Sequence, residues 1–87
     1  MMTRRVTTDH DTIRRWIESR GGHPAAVSGA PGEETGALRV DIPGYDEQEF
    51  LAALSWDEFF RRFEAKHLAF VYEDEGRFFQ FVERTRA

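Results

Sequence analysis

The sequence predicts an α+β fold. One small domain runs in the order α-β-β-α-β-β, with an antiparallel four-stranded sheet and two helices on one face. Three observations predict it. Two apolar stripes recur at helical spacing, Ile13-Trp16-Ile17 and Trp56-Phe59-Phe60-Phe63. Leu38, Val40 and Ile42 alternate with Arg39 and Asp41, the period of a strand with one buried face. The polar stretch Asp74-Glu75-Gly76-Arg77 divides two apolar runs as a hairpin turn does.

Each element has its own local reason. Residues 1–6 and 84–87 are expected as flexible ends, the first of them frayed or at a sheet edge. Thr8 is the expected N-cap of the first helix, with Asp9 and Asp11 in a first turn that favours anions. Gly21-Gly22 closes that helix in the left-handed region, and Pro24 stops its continuation. Ala25 to Ser28 reads as a short extended piece, and Gly29 to Gly36 as a loop. The strand Leu38 to Ile42 ends at the turn Pro43-Gly44. Within Tyr45 to Leu54, the spacing of Phe50, Leu51 and Leu54 suggests one helical turn. Ser55-x-x-Glu58 is a capping box ahead of the second helix, with Lys66 and His67 in its last turn. Leu68 to Glu73 and Phe78 to Glu83 are the paired strands of the final hairpin.

Composition sets outer limits. The chain of 87 residues is 40% apolar and 14% aromatic, which suits one folded domain whose core is built of rings. A (β/α)8 barrel of roughly 250 residues does not fit. The absence of cysteine excludes disulfides, thiolate metal sites and a cysteine nucleophile. No apolar run approaches the roughly 18 residues of a membrane span. No apolar leader follows Met1, so a cytoplasmic location is expected.

Chemistry-bearing clusters have structural readings. Consecutive residues on a helix point about 100° apart, so Asp9-His10-Asp11 caps rather than holds a metal. His10, His23 and His67 fall at helix ends and read as solvated groups. No nucleophile elbow and no phosphate-binding glycine loop is present. No catalytic residue, cofactor or metal is therefore expected. Arg14, Arg15, Arg61 and Arg62 make a weaker candidate anion patch, but a net charge of −4 and a pI near 5.3 weigh against nucleic acid as its partner. Arg61 and Arg62 are expected to pair with Asp57 or Glu58 along their helix.

Several blocks together resemble a family of small bacterial proteins. They are Thr7-Thr8-Asp9-His10-Asp11-Thr12-Ile13-Arg14-Arg15-Trp16, Gly21-Gly22-x-Pro24-Ala25, Leu38 to Tyr45, Ser55-Trp56-Asp57-Glu58-Phe59-Phe60, Leu68 to Tyr72 and Arg77-Phe78-Phe79. The resemblance runs from Thr7 to Glu83 and departs at Ser28 to Ala37 and around Glu47 to Leu54. Members of that family often carry the label "1,4-alpha-glucan branching enzyme", which implies an enzyme or accessory of α-glucan metabolism. The family brings no established functional residues to carry over. A retaining glycosidic mechanism needs two carboxylates about 5 Å apart beside a sugar-shaped cleft. A chain of this length has little material for both a core and such a cleft, so the residues point away from catalysis.

The last strand points to contact instead. Phe78, Phe79, Phe81 and Val82 place apolar groups on both of its faces, and helices cover only one face of a single sheet. The leading expectation is a non-enzymatic domain that binds a protein partner or a second copy of itself through Phe79 and Phe81 or Phe78 and Val82. Action in α-glucan metabolism is the second reading, and nucleic-acid binding through the arginine pairs the third.

Overall fold

A computed structural model of the chain describes residues 3–27, 37–44 and 51–84. Strand β1 is Arg4–Thr7, helix α1 His10–Glu18, β2 His23–Val27, β3 Leu38–Asp41 and β4 Leu51–Ala53. Helix α2 is Trp56–Ala65, followed by β5 Leu68–Glu73 and β6 Phe79–Glu83. The class is α+β with antiparallel pairing throughout, but the single four-stranded sheet is not formed. Two three-stranded sheets take its place, in the orders β1-β5-β6 and β3-β2-β4.

The reason lies in two short segments. Arg4–Thr7, expected at a flexible end or a sheet edge, pairs along β5, with Val6 opposite Val71. Leu51–Ala53, expected in a helical turn, pairs along β2, with Leu51 opposite Val27 and Ala53 opposite Ala25. Each hairpin thus gains a third strand on its own open side rather than joining the other hairpin. Pro24 is tolerated in the central strand because it sits where the β4 ladder ends. There its carbonyl accepts from the Leu54 N–H, and the N–H it lacks would face Leu54, just past the last β2–β4 pair. The predicted loop Gly29 to Gly36 lies outside the described residues, as do 45–50.

Both helices are defined by side chains at their starts. Asp9, not Thr8, caps α1: its carboxylate accepts from the Thr12 N–H at 2.9 Å and from the Thr12 hydroxyl at 2.6 Å. Thr7 takes a preceding role, its hydroxyl accepting from the Asp9 N–H. Ser55 caps α2 as expected, accepting from the Glu58 N–H at 3.1 Å. At the other end of α1, the Gly22 N–H reaches the Ile17 carbonyl and the Gly21 N–H the Glu18 carbonyl, the paired bonds of a Schellman closure. Gly21 supplies the positive φ of 75° that closure needs. Gly22 is there for space, since a Cβ would lie 2.7 Å from Ile42 and 2.9 Å from Ile17.

The core is one continuous cluster. Ile13, Trp16 and Ile17 of α1 meet Phe59 and Phe63 of α2, Leu38 and Ile42 from the β3 segment, and Phe70 and Tyr72 of β5. Phe59, Phe63, Phe70, Ile13 and Ile17 are its fully buried members. Trp16 meets Phe70, Tyr72 and Phe79 edge-on at 5.5 to 6.1 Å between ring centres, a favoured aromatic geometry.

Candidate functional site

The registers divide the β1-β5-β6 sheet into two unlike faces. Phe70 and Tyr72 of β5 and Phe79 and Phe81 of β6 face the helices, and Phe81 packs 5.9 Å from Phe59 and 6.3 Å from Phe63. Phe79 and Phe81, read as a possible contact surface, therefore belong to the core side. Phe78 and Val82 point the other way, together with Arg4, Val6, Val71, Glu73 and Gln80. On that side Val71, Phe78 and Val82 are half-buried, and Ala69, opposite Val82, is buried. Val6 is 67% exposed, alone among the large hydrophobic residues described. Arg4 lies over the Phe78 ring at 4.0 Å and reaches Glu73, which covers one end of the face and balances its charge. Neighbouring Arg5 pairs with Asp74 at 2.7 Å, and that carboxylate holds the guanidinium charged more strongly than usual.

The arginine pairs do not form one patch. Arg14 pairs with Glu18 and lies near the Trp56 ring. Arg61 and Arg62 both reach Glu58, at 2.8 and 2.7 Å, so the predicted intrahelical pairing is present. The bond from Arg62, with the charge of Arg61 behind it, lowers the Glu58 carboxyl below its usual range. Arg15 alone of the four has neither an ion pair nor a hydrogen bond among the described residues.

His10 does more than solvate a helix end. Its ring stacks on Phe60 at 4.1 Å, and its Nε2 lies 2.7 Å from Glu64. Arg84 donates to the same Glu64 carboxylate at 2.8 Å and to the Leu68 carbonyl at 2.7 Å. The start of α1, the end of α2 and the end of β6 are thereby tied together. Arg84 first, and His10 after it, hold the Glu64 carboxyl below its usual 4.5. The signal in the sequence was faint, because residues 10, 64 and 84 meet only through the tertiary fold. His23 and Asp41, opposite each other across β2 and β3, approach at 3.2 Å.

Among the described residues, no group of three or more acidic or histidine side chains is arranged to hold a metal ion. No described helix is long and apolar enough to cross a membrane. No family model, curated protein or solved structure matches this chain.

Proposed function

We propose that the protein works by protein–protein contact, and that the outer face of the β1-β5-β6 sheet makes that contact with a second copy of the chain. The supporting observation is the exposure of Val6 on a face it shares with Val71, Phe78 and Val82. A two-fold contact must be self-complementary. An apolar centre satisfies this, and Arg4 beside it, already paired with Glu73, leaves little charge to repel a copy.

Area sets the strength. Three strands about 4.8 Å apart and five residues long span about 240 Å² in projection. A stable interface takes about 800 Å² per partner. The contact is accordingly weak and dependent on concentration.

Sedimentation across a concentration series tests it. The mass of the wild-type protein rises above 10.1 kDa towards twice that value as concentration increases. Val6→Lys, on an exposed edge strand, stays at the monomer mass with its fold intact. A wild-type protein that remains monomeric at millimolar concentration, or a variant that associates equally well, removes the proposal. Amide spectra titrated with maltoheptaose and with a short DNA duplex address the other readings. Localised, saturable shifts with either ligand put that reading in its place.

A further inference from the structure

A second feature lies on the opposite side of the same sheet. Thr12, Arg15 and Trp16 of α1, with Ser19 and Arg20 just past its end, join Tyr72 and Asp74 to line a cleft of about 350 Å³. That volume is near the lower end of the range for small-molecule sites.

Its polar groups are unevenly satisfied. Arg20 stacks on the Trp16 ring at 3.7 Å and donates to the carbonyls of Trp16, Asp74 and Gly76 and to the Ser19 hydroxyl. Every one of those acceptors is neutral, so its charge has no counter-ion. Arg15 likewise has no ion pair. Asp74, the carboxylate in the lining, is engaged by Arg5. Arg15 and Arg20 thus bring two guanidinium groups to a lining whose one carboxylate is already paired, while Asp9 lies within electrostatic range of Arg15.

Tyr72 is the independent observation. It is only 6% exposed, yet its hydroxyl makes no hydrogen bond among the described residues. No fully buried side-chain polar atom there lacks a partner, so this hydroxyl sits at a wet surface. The Thr12 and Ser19 hydroxyls spend their protons on Asp9 and on the Trp16 carbonyl. The donors left in the cleft are therefore the Arg15 guanidinium and the Tyr72 hydroxyl.

We propose that this cleft binds a small oxyanion, the phosphate or carboxylate group of a compact metabolite, with Arg15 and Tyr72 donating to it and Arg20 supplying an uncompensated charge behind them. Guanidinium groups suit both anions because their donors are planar and paired.

The experiment is an NMR titration with inorganic phosphate, with acetate, and with chloride at matched ionic strength. The Trp16 indole N–H, which donates to the Glu73 carbonyl beside the cleft, is the reporter. Phosphate or acetate gives saturable shifts there that chloride does not, and the stronger of the two identifies the oxyanion. Arg15→Gln, at an exposed position, weakens binding about tenfold or more, and Tyr72→Phe several-fold. Arg61→Gln removes the same charge elsewhere and leaves binding unchanged. An unaltered indole signal in the ligand-free variants shows that each is folded. Equal shifts with chloride, unchanged binding by Arg15→Gln, or equal losses in Arg15→Gln and Arg61→Gln overturn the assignment.

Discussion

The two sheets share a plan and differ in what fills them. In each, a hairpin pairs with a third strand distant in sequence, and the central strand is paired on both edges. The β1-β5-β6 sheet presents rings to the helices: Phe70, Tyr72, Phe79 and Phe81. The β3-β2-β4 sheet has small residues at its centre, with Ala25, Ala26 and Val27 all buried. Rings fill space by reaching across it, whereas alanines let a neighbouring layer come close. The same topology is thus stabilised by bulk in one sheet and by close approach in the other.

Opposite kinds of substitution break the two sheets. Phe70→Ala removes a fully buried ring in contact with Trp16, Tyr72, Phe79 and Phe81. Urea unfolding should register a loss of about 3–5 kcal/mol. On β2, Ala26 shares the core-facing side with Leu38. Ala26→Leu should cost about 1–3 kcal/mol through overpacking. An Ala26→Leu protein as stable as the wild type would show that the second sheet is not closely packed.

The helix caps come next in size. Asp9→Ala and Ser55→Ala each remove the acceptor for a first-turn N–H and should cost about 1 kcal/mol. Thr8→Ala should cost little, because Thr8 lies one residue before the cap. Thermal unfolding of the three variants sharpens the boundary of α1. A loss for Thr8→Ala equal to that for Asp9→Ala would return the cap to Thr8.

Acid should loosen the ring-filled side first, and by a smaller amount. Asp9, Glu58 and Glu64 titrate below their ordinary values in the folded protein, held there by Thr12, by Arg62 and by Arg84 with His10. The unfolded chain therefore binds protons at a higher pH than the folded one. The stability these groups contribute is complete above the unfolded values of 3.8 and 4.5, and is lost as pH falls through the folded ones. Amide exchange measured as pH falls from 5 should show protection failing at the ends of α2 and β6, where Glu64 and Arg84 meet, before it fails in β2. Simultaneous loss in both places would mean that the Glu64 link has no local role.

Local chemistry determined much of this protein. The stripes Ile13-Trp16-Ile17 and Trp56-Phe59-Phe63 were legible because helical spacing puts them on one face, whatever that face meets. The Ser55 cap, the Gly21 closure, the final hairpin and the pairing of Arg61 and Arg62 with Glu58 depend on neighbours within a few positions in the chain. Three decisions needed the tertiary structure. Arg4–Thr7 and Leu51–Ala53 carry too little pattern to announce a strand, and only the open sides of β5 and β2 make them strands. Strand alternation showed that β6 has two apolar faces, and the helices alone decided that Phe79 and Phe81 lie inside while Phe78 and Val82 lie outside. Tyr72 and Arg15 stand 57 positions apart in the chain. Their shared cleft exists only because α1 packs across β5, a contact between distant residues that no local spacing encodes.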